Sequence, residues 1–273
     1  MISKLTPSLL SSIFMISLGS SNAHAQSAFA GFYGQISTGY EGNQLGSISG
    51  GATEIPNVNT DTNITAPSQT FGGTPLILGA GYYWQASNNW LIGIGADYSA
   101  LTQTSSNIPT SSTYAQGNSS ISNGVTINAN GTSMQLSNRF NLFLTPAYAI
   151  NKDKLVYIKA GYSQVSTQFN RATSITKTLN GVSTTTASTG GNQSSNQGGY
   201  LFGLGYKQII TSGLYGFVEG NYMGYSAPSY SYNTPQKAVT NLLGVSSTGT
   251  RNVTLNFASL NTYQLLIGVG YAF

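Results

Sequence analysis

The sequence predicts an all-β fold, an eight-stranded antiparallel transmembrane β-barrel, and three observations carry that expectation. Apolar residues recur at every second position in eight blocks. Short links alternate with polar stretches of roughly thirty residues between those blocks. Only 6% of the 273 residues are charged, while 40% are hydrophobic and 11% aromatic; an ordinary soluble domain carries about 25% charged residues. So few charges cannot coat a surface that faces water, and so many apolar residues argue against disorder.

Successive side chains of a strand point to opposite faces, so each block divides into an outward stripe and an inward one. The first, residues 31–40, sets Phe32, Gly34, Ile36, Thr38 and Tyr40 against Tyr33, Gln35, Ser37 and Gly39. Leu76, Leu78, Ala80, Tyr82 and Trp84 stripe the second block. The short link 86–89 then leads into Trp90, Ile92, Ile94, Ala96 and Tyr98, which reads as a tight hairpin. The fourth stripe is Phe140, Leu142, Leu144, Pro146 and Tyr148, and the fifth, after the turn 151–154, is Val156, Ile158, Ala160 and Tyr162. Tyr200, Phe202, Leu204 and Tyr206 make the sixth; a turn near Gly213 precedes Leu214, Val218 and Tyr222 in the seventh. In the last, Tyr263, Leu265, Ile267, Val269, Tyr271 and Phe273 oppose Gln264, Gly268, Gly270 and Ala272, with Leu266 the exception on the inner side. Pro146 lacks a ladder donor, so a bulge or a weakening of the strand is expected there.

No segment is apolar for long enough to form a transmembrane helix, and backbone groups in lipid must pair internally, which leaves a closed barrel. Alternating short turns and four long loops match the periplasmic and external ends of outer-membrane barrels. The last strand is expected to pair with the first, leaving no open edge. Aromatic residues fall where interfacial girdles belong. Trp84, Trp90, Tyr148, Tyr206 and Phe273 mark the periplasmic ends, and Tyr40, Tyr98, Tyr162, Tyr200, Tyr222 and Tyr263 the outer ends.

At the N-terminus, Lys4 precedes an apolar stretch ending at Leu18, and Ala23-His24-Ala25 supplies a small-x-small cleavage pattern. Residues 1–25 are therefore expected to be a cleaved signal peptide and residues 26–273 the barrel domain. Removing Lys4 lowers the formal charge from +4 to +3, too small and too scattered for nucleic acid. Cysteine is absent, which excludes disulfides and thiolate metal sites.

The long loops carry strand signals of their own. Residues 174–186, centred on Asn180-Gly181, read as a Thr-rich two-stranded arm around a type I′ turn, so that strands five and six continue above the membrane. Asn123-Gly124 and Asn130-Gly131 suggest similar turns in the second loop. The first and fourth loops read equally well as mobile low-complexity segments.

Within the strands, Asp97, Arg139, Lys159 and Glu219 all fall on the inward face. An eight-stranded barrel is just wide enough for side chains to fill, so these two acids and two bases should pair. Tyr33, Tyr83, Phe143, Tyr157, Tyr215 and Phe217, interleaved with Gly79, Gly93, Gly95, Gly161, Gly203 and Gly205, should pack around them. The quartet reads as a satisfied structural network, with a proton or ion path as the other reading. His24 is the only histidine; without it the chain lacks the means for Ser-His-acid, Cys-His or histidine-metal chemistry. Neither catalytic residues nor a metal or other cofactor is expected.

The cleavage pattern, the eight blocks with four long loops and the ending Leu266-Ile-Gly268-Val-Gly-Tyr271-Ala-Phe273 resemble the small outer-membrane barrels of Gram-negative bacteria, of the OmpA-like, opacity-protein type. The resemblance implies location in the bacterial outer membrane, contact with its lipid and lipopolysaccharide, and delivery by the barrel-assembly machinery. Gly268, Tyr271 and Phe273 match that machinery's recognition signal, although Leu266 stands where the pattern often begins with a polar residue. No peptidoglycan-binding domain is expected after the last strand. The family suggests a non-enzymatic surface protein whose loops contact an extracellular ligand, or a purely structural barrel. The alternative is a narrow pore or conduit for small solutes or apolar molecules, suggested by the interior glycines and by Ile77, Leu91 and Leu201.

Overall fold

The computed structural model describes residues 27–55, 62–114, 126–179, 181–188, 191–235, 239–240, 246–247 and 250–273. Residues 1–25, expected to be a signal peptide, together with Asn123-Gly124 and Asn180, lie outside the described residues. Eight long strands form the wall: β1 (Gly31–Leu45), β2 (Leu76–Gln85), β3 (Trp90–Ser99), β4 (Ser133–Asn151), β5 (Lys154–Asn170), β6 (Asn192–Thr211), β7 (Leu214–Tyr225) and β8 (Leu260–Ala272). Each pairs antiparallel with its sequence neighbours, and β8 pairs with β1 from Tyr33↔Ala272 to Leu45↔Leu260. The ring of pairings is therefore closed, as the alternation predicts. The three short links are the 86–89 turn, where the Ala86 amide donates to the Trp90 carbonyl at 2.8 Å, the 152–153 turn and the 212–213 turn, in which Gly213 has φ 81°.

The alternation sorts side chains by chemistry. Outward positions are bulky, apolar and exposed, for example Ile36, Ile94, Leu144, Ile158, Leu204 and Ile267. Aromatic residues cluster at the two ends of this belt. At the turn end Phe32, Tyr82 and Trp84 meet in sequence with ring centroids 4.7 Å apart, and Trp90 meets Tyr148 at 5.2 Å. At the loop end Tyr200 lies 6.2 Å from Tyr222.

Pro146 is not at a bulge. The offset that pairs Leu144 with Ala160 also pairs Ala147 with Tyr157, and Pro146 itself opposes Ile92; one missing donor is tolerated because its neighbours hold the register. The irregularity falls between Ser137 and Phe140, where Asn138 has φ 50°. Asparagine suits this left-handed conformation.

The described segments of the loops are largely β-strands. Beyond the belt, segments of all four join in one eight-stranded sheet, in the order Val182–Ala187, Ser174–Leu179, Thr126–Asn130, Thr110–Tyr114, Thr62–Ala66, Ile48–Ile55, Thr250–Phe257, Ser229–Pro235. The arm Ser174–Leu179 with Val182–Ala187 forms as expected, and β5 and β6 run on past Tyr162 and Tyr200 to the pair Asn170↔Asn192, but the arm itself pairs into this crown. Asn130-Gly131 closes no hairpin, because Thr126–Asn130 pairs with Thr110–Tyr114 and Ser174–Leu179. Alternate apolar residues of the crown strands, Ile48, Ile64, Val253 and Phe257 among them, bury against Met134, Leu136 and Phe169 of the wall, forming a core above the barrel mouth.

Valine at position 138 should destabilise the protein by about 1–2 kcal/mol, since a β-branched residue resists the left-handed region. Glycine there should be nearly neutral. Urea unfolding followed by tryptophan fluorescence measures both.

Candidate functional site in the barrel lumen

The inward parity of six strands brings one polar network together at mid-barrel. Lys159 of β5 donates to Asp97 Oδ2 of β3 at 2.7 Å and to Glu219 Oε1 of β7 at 2.9 Å, and all three are buried. The free oxygens are satisfied in turn: Asn141 Nδ2 donates to Asp97 Oδ1 at 2.5 Å, and the Tyr157 hydroxyl to Glu219 Oε2 at 2.6 Å. The Lys159 ammonium also lies 4.0 Å from the Phe143 ring centroid.

Arg139 does not join this triad. Its partner is Glu41, at 2.5 Å, with further donation to the Tyr225 hydroxyl at 2.9 Å. The sequence reading ended the first strand at Tyr40, yet β1 runs on to Leu45 and brings Glu41 and Asn43 inward. The two ion-pair groups are linked by Gln264, whose amide donates to Glu41 Oε2 at 2.8 Å and whose oxygen accepts from Asn221 Nδ2 at 3.2 Å. Asn221 donates in turn to Glu219 Oε1 at 2.8 Å.

A third buried base, Lys207, was also missed, because it lies one residue beyond the stripe that ends at Tyr206. Its ammonium donates to Gln35 Oε1 at 3.1 Å and sits over the ring of Tyr33 at 4.1 Å and of Tyr215 at 4.8 Å, with Tyr83 and Tyr157 each at 5.2 Å. Aromatic faces attract a desolvated cation. Here they form a layer across the turn end of the lumen.

Glycines make that layer possible. A Cβ on Gly81 or Gly95 would collide with the Tyr33 hydroxyl, one on Gly93 with Tyr83, one on Gly205 with Tyr157, and one on Gly270 with Tyr215. These five glycines are thus recesses occupied by rings, whereas Gly79 and Gly203 face Gln35 and Asn221. Leu91 belongs to this lower apolar cluster and Leu201 to the upper core, both with no exposed surface. A few polar atoms are left without a protein partner in the lumen: Asn141 Oδ1, Tyr83 OH, Thr145 Oγ1 and Asn221 Oδ1.

The residues expected in the girdles point outward: Tyr40, Trp84, Trp90, Tyr98, Tyr148, Tyr162, Tyr200, Tyr222, Tyr263 and Phe273 are exposed, and Tyr206 is half-buried. Of the expected assembly-signal residues, Tyr271 and Phe273 face outward with centroids 5.1 Å apart, and the Phe273 amide donates to the Phe32 carbonyl at 2.9 Å. Gly268 lies on the inner face against Phe217.

No family model and no curated protein matches the chain. Among solved structures it is similar to the outer membrane protein OprG from Pseudomonas aeruginosa, with 14% identity over 90% of this chain and 98% of that one and a TM-score of 0.47. It is also similar to the outer membrane protease OmpT from Escherichia coli, at 11% identity over 93% and 100% with a TM-score of 0.40. A third is Ail, the attachment invasion locus protein of Yersinia pestis, in complex with the heparin analogue sucrose octasulfate, at 11% identity over 89% and 99% and 0.37.

Replacing Lys159 by methionine leaves two buried carboxylates unpaired, and the expected loss is about 3–5 kcal/mol. Restoring neutrality with Asp97→Asn and Glu219→Gln in the same chain should recover much of it. Urea unfolding of the single and triple variants reads the difference.

Proposed function

We propose that this chain is a non-enzymatic barrel of the bacterial outer membrane, with a side-chain-filled lumen, that holds a folded crown outside the cell for contact with an extracellular ligand. The observation that carries the reading is the stacking of three filled layers along the barrel: the aromatic layer around Lys207, the charged network, and the apolar core shared with the crown. A hydrated channel needs a continuous polar path, and the rings packed around Lys207 on one side of the charges and the apolar core on the other interrupt one. Membrane insertion is supported by the exposed apolar belt and the outward aromatic residues at its ends. Lipid and lipopolysaccharide then cover the belt.

The absence of histidine after residue 24 supports a non-enzymatic role, as does the engagement of Glu41, Asp97 and Glu219 in structural pairs. A narrow conduit is the second reading, favoured by the unpartnered Asn141, Tyr83, Thr145 and Asn221 atoms, which suit buried water.

Planar-bilayer recording of the mature protein separates the two. The filled barrel should give no steady conductance; channels whose size changes on Asp97→Asn or Arg139→Gln substitution would overturn it. Phe273, Tyr271 and Gly268 are proposed to be read by the barrel-assembly machinery. Deleting Phe273 should lower the amount of protein inserted in cells several-fold, while barrels refolded in detergent keep a urea midpoint close to wild type. A matching loss of stability would assign Phe273 to structure alone.

A further inference from the structure

Gly34, Gly216 and Gly220 are outward positions with open space where a side chain would stand, and Gly216 borders a groove in the belt. The Cα pairings align Leu78, Ile36, Val269, Gly216 and Gln208 in a row from β2 to β6, and the adjacent row aligns Leu76, Thr38, Ile267, Val218 and Tyr206. Gly216 is the gap. A Cβ there would meet only Ile210 Cδ1 at 3.5 Å and the Gly268 carbonyl at 4.0 Å, which is open space or ordinary contact. The missing side chain opens an outward groove of about 700 Å³, lined by Ile36, Leu76, Ile210, Val218, Ile267 and Val269.

The groove has a polar end. Gln208 lies beside Tyr206, whose hydroxyl donates to Gln208 Oε1 at 2.9 Å. No other hydrogen bond engages the Gln208 side chain among the described residues, so its amide N–H donors stay open at the turn end of the belt. Between Gln208 and Leu76 the groove crosses five strands, four gaps of about 4.8 Å or about 19 Å measured along the curved wall, comparable to the contour length of a bent fatty-acyl chain.

We infer that this groove holds one acyl chain of a phospholipid from the periplasmic leaflet, with the Gln208 amide donating to an ester or phosphate oxygen of its head group. The inference rests on the reading that the barrel spans a membrane. A second copy of the chain is a poorer occupant, because a two-fold contact would set hollow against hollow. A flexible hydrocarbon chain fills an irregular apolar groove without such matching.

Native mass spectrometry of the full barrel in mild detergent, titrated with palmitoyl-oleoyl phosphatidylethanolamine, tests the site. The wild type should retain one lipid. Gly216→Leu, which fills the gap, should lower its occupancy about tenfold, and Gly216→Ala, for which the Cβ has room, should lower it less. Gln208→Leu should reduce the preference for the phospholipid over diacylglycerol. Equal retention in wild type and both Gly216 variants would overturn the proposal, as would a lipid-free dimer lost on Gly216→Leu. Heat-modifiable gel mobility is checked in parallel: its absence from the wild type would overturn the membrane barrel itself, whereas unchanged mobility with unchanged lipid retention would overturn the groove alone.

Discussion

The pairing of β8 with β1 is the constraint on which the rest of the structure depends. In an apolar surround each backbone N–H and C=O must find a partner within the chain, and a sheet can meet that demand only by closing on itself. Once the ring is closed, alternation leaves a strand side chain two destinations, the belt or the lumen. A charge inside a strand has to go inward, and inward charges have to neutralise one another. Glu41, Asp97 and Glu219 face Arg139, Lys159 and Lys207 within the lumen, three acids for three bases. The balance is local as well as total for Arg139 with Glu41 and for the Lys159 triad, while Lys207 relies on aromatic faces and Gln35.

An eight-stranded lumen also fixes the relation between glycine and aromatic residues. There is room for a tyrosine ring only where the neighbouring strand gives up its Cβ, and Gly81, Gly93, Gly205 and Gly270, paired with Tyr33, Tyr83, Tyr157 and Tyr215, do so. Many interior glycines on a sequence suggest an open bore. The geometry gives the opposite meaning, because the recesses at Gly81, Gly93, Gly205 and Gly270 are filled by the tyrosines paired with them on the neighbouring strands.

The wall was legible because its signal repeats: eight stripes in phase, with turns of matching length, leave little freedom in assigning strands. The site was legible only in part. Asp97, Lys159 and Glu219 lie well inside their stripes and meet as expected, whereas Glu41 and Lys207 sit one residue past Tyr40 and Tyr206, the aromatics used as strand ends. Extending the same parity by one position would have placed both inside and given Arg139 its partner. Aromatic residues mark the edge of the belt, not the end of the strand, and β1 shows the difference. The crown was less legible, since its strands pair between loops distant in sequence, and Ser/Thr/Asn-rich segments carry little apolar contrast to set register.

The bulge at Asn138 explains how wall and crown become one body. Below it, odd-numbered residues of β4 face inward, from Arg139 to Ala149; above it, Met134 and Leu136 do. The partner strand β5 keeps its odd residues inside throughout, from Leu155 to Phe169. Without one extra residue in β4, Met134 and Leu136 would turn outward while Phe169 stayed in, and the core above the mouth would lose one side. With it, Tyr230 of the fourth loop stacks on Phe169 at 5.5 Å and its hydroxyl reaches Met134 Sδ at 3.7 Å. The core above the barrel mouth is therefore the same core that holds the described strands of the loops. For the proposed role in binding, the described crown strands are already held in one sheet before a partner arrives, which lowers the ordering cost of binding.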